Sequence, residues 1–65
     1  MPVIHVEMFA GRTPEQKKAL VKALTDAFVS TAGSTPQAVQ VILRDVEKSD
    51  WATAGVLASE PPAKP

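Results

Sequence analysis

The chain has no cysteine in its 65 residues, so neither a disulfide framework nor a thiolate metal site can staple it. Histidine occurs once, at position 5, which is too few donors for a zinc site built from this chain alone. Tyrosine is absent, and the aromatic residues are two phenylalanines and one tryptophan. An excess of charge is missing too: seven Lys and Arg offset seven Asp and Glu. With no basic run and no patch of interleaved aromatic and basic residues, nucleic acid is not an expected partner. No apolar run approaches the roughly 20 residues that span a bilayer. No positively charged segment precedes residues 3–8, so a signal peptide is not expected either. What remains is a cytoplasmic protein acting on a small molecule, with no metal and no cofactor expected.

Hydrophobic residues make up 45% of the chain, a globular proportion. A domain this short nevertheless buries a small share of its unfolded surface. Without disulfides or metal, such chains commonly gain stability by oligomerising. One domain is expected over residues 2–59, followed by a Pro-rich tail over 60–65 that reads as disordered.

Residues 2–9 alternate as a strand does, with Ile4, Val6 and Met8 on one face. Val3, His5, Glu7 and Phe9 share the other. After a turn at Ala10, Gly11 and Arg12, Thr13 caps a helix, Pro14 suits its first position and Gln16 completes a capping box. Leu20, Leu24, Ala27, Phe28 and Thr31 form its apolar stripe, widened by Val21 and Ala23, while Lys18, Lys22, Thr25 and Asp26 face away. Gly33 is the expected stop, giving a helix over 14–32 of about 28 Å. A turn at 34–37 leads to a second strand over 39–44, in which Gln40, Ile42 and Arg44 share a face. Strand, helix and strand make one α+β unit of βαβ type, with parallel strands and a right-handed crossover. Residues 45–50 read as a polar loop, and 51–57 as a short hairpin or a strand added to a neighbour. Two strands and one helix are not a stable domain, so a second copy is expected to cover the sheet.

Pro2 is the first candidate for chemistry. Methionine excision favours a small second residue, so the mature chain is expected to start with a ring-constrained secondary amine. Backbone amines titrate near neutrality, well below lysine. An apolar cleft with nearby cations favours the neutral, proton-accepting form. The same residue is also an ordinary start to an edge strand, where its missing N–H costs nothing. Arg12 suits bidentate carboxylate binding, although a turn arginine is commonly just solvated. Arg44, about 13 Å beyond Gln40 along the strand, is either a substrate-binding residue of a site at the strand end or a surface partner of Asp45 or Glu47, with the pairing favoured. Trp51 either walls an apolar pocket or packs at a subunit interface. His5 reads as a packed or interface residue, with Glu7 as its partner across a neighbouring strand.

Taken together, these residues resemble the 4-oxalocrotonate tautomerase family, from Pro2 to about Ser59. The likeness rests on Pro2, on Gly11, Arg12 and Thr13 followed by Glu15, Gln16 and Lys17, and on the 36–42 segment. Trp51 with the small residues up to Gly55, and then Leu57, Ala58 and Ser59, complete it. The resemblance implies a βαβ protomer, dimers with a four-stranded sheet and two helices, and a homohexamer built as a trimer of dimers. It implies an isomerase of aromatic-compound catabolism that converts a 2-hydroxydienoate or similar enol acid to its ketone. Pro2 would carry the proton from the enol to a distant carbon. Arg12 matches the arginine that holds a substrate carboxylate, and Trp51 sits where the family keeps a pocket-lining aromatic residue.

One departure bears on the substrate. The family's second substrate-binding arginine, given by a neighbouring subunit, aligns with Gln40. An amide brings no charge, and charge-assisted hydrogen bonds are roughly twice as strong as neutral ones. A dicarboxylate such as 2-hydroxymuconate is therefore expected to be handled poorly, and Arg44 is too far along the strand for a simple replacement. Two other functions fit the same scaffold. In one, a haloacrylate dehalogenase or decarboxylase, a protonated Pro2 acts as an acid and Glu7 activates water. In the other, favoured by Gln40, the chain is a non-catalytic oligomeric binding module.

Overall fold

The computed structural model describes residues 1–61. Strand β1 (Val3–Phe9) leads through a turn to helix α1 (Pro14–Phe28), which continues as a wider π turn over Val29–Gly33. Strand β2 (Gln40–Val46) follows, then a 3₁₀ turn (Lys48–Asp50) and a hairpin of β3 (Ala52–Thr53) and β4 (Val56–Leu57). β1 and β2 pair in parallel over their full lengths, from Val3 opposite Gln40 to Phe9 opposite Val46. The βαβ unit expected from the sequence is thus the fold.

The helix begins where local chemistry directs it. The Gln16 N–H donates to Thr13 Oγ1 at 3.1 Å, and the Thr13 N–H donates to Gln16 Oε1 at 2.9 Å. This reciprocal box satisfies two donors that the first helical turn otherwise leaves unpaired. Near the other end, the hydroxyls of Ser30 and Thr31 both donate to the Ala27 carbonyl, at 3.2 and 2.6 Å. Such side-chain bonds compete with the backbone ladder, and the last turn widens into the π form there. Gly33, at φ +77°, ends it.

Details of the sequence reading are corrected by the packing. The half-buried helix residues are Lys17, Leu20, Val21, Leu24, Thr25, Phe28 and Val29. Ala23, Ala27 and Thr31 are exposed, so the stripe is rotated relative to the expected one. Thr25 tolerates the inner face because its hydroxyl donates to the Val21 carbonyl at 2.8 Å. β2 runs two residues past Arg44, and the stretch read as a polar loop holds a 3₁₀ turn. Glu60 is tied in: its carboxylate accepts from the Leu57 N–H at 2.8 Å. The rest of the Pro-rich tail, residues 62–65, lies outside the described residues.

Ile4, Val6 and Met8 of β1, with Val41 and Leu43 of β2, turn toward the helix. Among the described residues only Met8, 8% exposed, is buried. The opposite face of the sheet is open: Val3 and Ile42 stand 44% and 48% exposed, beside His5, Glu7 and Arg44.

Candidate active site

The sequence candidates separate into two groups at opposite ends of the sheet. At the N-terminal end of the strands, Pro2 is half-buried and its carbonyl accepts from the Gln40 N–H at 3.0 Å. The Gln40 carboxamide reaches the same place, donating from Nε2 to Met1 Sδ at 3.2 Å. Met1 itself is 87% exposed. Parallel pairing puts the first residues of β1 and β2 side by side, which is why Pro2 and Gln40 meet.

The second group gathers on Phe9, the last residue of β1. Arg12 Nη1 donates to the Phe9 carbonyl at 2.9 Å. Trp51 meets the Phe9 ring edge-on, with centroids 4.8 Å apart and planes at 63°, the geometry that aromatic quadrupoles favour. Lys48 Nζ lies 5.6 Å from the centre of the same ring, within cation–π range. Arg12 spends one donor on the carbonyl and keeps the rest of its five-donor fork for a ligand. Phe9 and Lys48 were not singled out from the sequence. Phe9 read only as the end of a strand, and Lys48 as part of a polar loop.

These groups cannot meet within one chain. Seven strand steps separate Pro2 from Phe9, about 23 Å at 3.3 Å per residue. Any pocket that uses both Pro2 and Arg12 draws them from two copies.

Arg44 belongs to neither group. Its expected partners, Asp45 and Glu47, are replaced by Glu7, whose Oε2 lies 4.0 Å from Arg44 Nε. Successive strand residues point to opposite faces, so Asp45 turns to the helix side and pairs there with Lys17. Glu7 and Arg44 are register partners on the open face. Glu7 is thereby engaged with Arg44 within the chain, and His5 has Ile42 as its register partner. A hollow of about 270 Å³ lies over His5, Val6, Glu7, Ile42 and Arg44. A second, of about 250 Å³, is lined by Glu7, Val46, Asp50, Trp51 and Ala52. Among the described residues no cluster of His, Cys, Asp and Glu could hold a metal ion, and no helix is long and apolar enough to cross a membrane.

The model of the family described as tautomerase enzyme matches residues 2–60. A probable tautomerase of Ralstonia nicotianae is 43% identical over 65 residues, covering all of both chains. The 2-hydroxymuconate tautomerase of Comamonas testosteroni is 42% identical over 60 residues, covering 92% of this chain and 95% of its own. Among solved structures, a heterohexamer 4-oxalocrotonate tautomerase of Chloroflexus aurantiacus superposes with a TM-score of 0.87 at 28% identity, over 92% of this chain and 97% of the other. On the family match, the identities and the superposition, this chain belongs to the tautomerase family of isomerases, as a homologue of 4-oxalocrotonate tautomerase.

Proposed function

We propose that this tautomerase interconverts the enol and keto forms of a small unsaturated 2-hydroxy or 2-oxo acid, with the Pro2 amine as general base. The observation that carries the reading is the Arg12 guanidinium anchored beside the Phe9–Trp51 wall. A planar cation fork next to an aromatic surface fits a planar, conjugated carboxylate. Pro2 supplies what that cluster lacks, a proton acceptor, and reaches it from another copy of the chain. A homo-oligomer is therefore part of the proposal.

In this scheme the enol O–H gives its proton to the neutral Pro2 nitrogen, which becomes an ammonium. Arg12 holds the carboxylate and draws the electron density that accumulates along the conjugated system. The ammonium then returns the proton to a carbon of the same conjugated system, which restores the neutral amine and leaves the ketone. No proton or electron is consumed. Loss of Met1 is required, because in its presence the Pro2 nitrogen is an amide and cannot take a proton. Once Met1 is gone, the Gln40 carboxamide that touches it is left beside the new terminus.

The test is turnover of phenylenolpyruvate by protein whose intact mass shows that Met1 is absent. Pro2→Ala should lower kcat by at least about tenfold, the lower reach of what a positioned base supplies being about a hundredfold and a primary amine retaining part of it. Full activity in that variant would remove Pro2 from the mechanism.

A further inference from the structure

The cations of this chain are segregated along the sheet, and that bears on the charge of the substrate. Residues 1–11 and 23–43 contain no lysine or arginine. In the fold these stretches supply β1, the C-terminal half of the helix, the following turn and the start of β2, so among the described residues the Pro2 end carries no lysine or arginine. The cations near the other end divide by partner. Lys17 is paired with Asp45 and Arg44 with Glu7, while Lys22, midway along the helix, is paired with Asp26. Arg12, Lys18 and Lys48 have no carboxylate partner among the described residues, and of these Arg12 and Lys48 reach Phe9. One bonds the Phe9 carbonyl and the other lies over the Phe9 ring.

We infer that the substrate of this enzyme is a monocarboxylate whose single acid group is held at the Arg12 and Lys48 end, and whose other end is uncharged and meets Gln40. The inference rests on the two-copy pocket proposed above. Two free cations flank one aromatic wall, so one carboxylate can be neutralised and hydrogen-bonded there. At the Pro2 end the available polar side chain is the Gln40 carboxamide, which can donate and accept but cannot neutralise. A second carboxylate placed there meets no permanent counter-charge, because the Pro2 amine is neutral when it acts as base, so it loses its hydration at a cost even when hydrogen-bonded. An aromatic or alkyl end loses nothing, since the Pro2 ring and Val3 make that end apolar.

The experiment compares phenylenolpyruvate with 2-hydroxymuconate on the Met1-free oligomer and on its Gln40→Arg variant. Binding of cinnamate and of muconate to both proteins is measured by calorimetry in parallel, so that the charge preference is read without turnover. The expected kcat/KM for phenylenolpyruvate exceeds that for 2-hydroxymuconate by about tenfold or more, and cinnamate binds more tightly than muconate. Gln40→Arg should shift both ratios toward the dicarboxylate by about tenfold. A wild-type preference for the dicarboxylate, ratios unmoved by Gln40→Arg, or failure of cinnamate to bind would each overturn the inference. Absence of turnover with the cinnamate preference intact would instead sink the proposed reaction and leave the charge assignment standing.

Discussion

Arg12 and Lys48 act on the same residue by different means, and substitutions can tell them apart. Lys48→Met keeps an unbranched chain over the Phe9 ring and removes only the charge. If Lys48 helps hold the acid group, KM for a monocarboxylate enol should rise several-fold with kcat little changed, the signature of binding shared by ground and transition states. An unchanged KM would reduce Lys48 to a cover for Phe9. At Pro2 the informative variable is pH. A base must be neutral, so kcat/KM should climb as pH rises through the titration of the free amine and then level off. The acid-type reading, a dehalogenase or decarboxylase with Glu7 activating water, requires the charged amine and gives the opposite slope. Glu7 is also poorly placed for that role, since it faces Arg44 and stands five strand steps, about 17 Å, from Pro2 of its own chain.

At the level of elements, the parts written in local chemistry were legible and the parts set by tertiary contact were not. Thr13, Pro14 and Gln16 announce the helix start, and the capping box forms as the spacing demands. Gly33 announces the stop. The apolar stripe was misplaced because alanines carry little information about direction, and because Thr25 hides its hydroxyl in its own helix. The separation of Pro2 from Arg12 was implicit in the length of β1. Phe9 as a hub was invisible, because its importance comes from a hairpin more than 40 residues away. That hairpin turns through Ala54 at φ +53° and Gly55 at φ +81°, two left-handed residues in succession, as in the turn type that suits Asn-Gly. Alanine is strained there, since left-handed backbone costs an ordinary L-residue roughly 1–2 kcal/mol. Ala54→Asn should therefore stabilise the protein by about 0.5–1 kcal/mol, read as a rise in Tm of a few degrees, without altering the Trp51 wall. A lower Tm would mean that the turn is held by something other than its local conformation.

The whole molecule is unfinished as a single chain. Only Met8 is buried among the described residues, and one face of the sheet presents Val3 and Ile42 to solvent. The functional groups are unfinished in the same sense, with the proposed base at one end and the anion-binding cluster at the other. Folding and catalysis would then have one requirement, a second copy. Mixing two defective variants tests this directly. Pro2→Ala lacks the base and Arg12→Ala lacks the carboxylate holder, so each alone should be strongly impaired. When the two are unfolded together and refolded as mixed oligomers, a pocket that takes Pro2 from one copy and Arg12 from a neighbour finds both intact in about one case in four. That share follows from random subunit choice and holds whether the interface is two-fold or ring-like. Activity should recover to about a quarter of the wild-type value in the mixture, while each variant refolded alone stays at its own low level. If Pro2 and Arg12 served one pocket within a single chain, every pocket in the mixture would lack one of them, and no recovery would be seen.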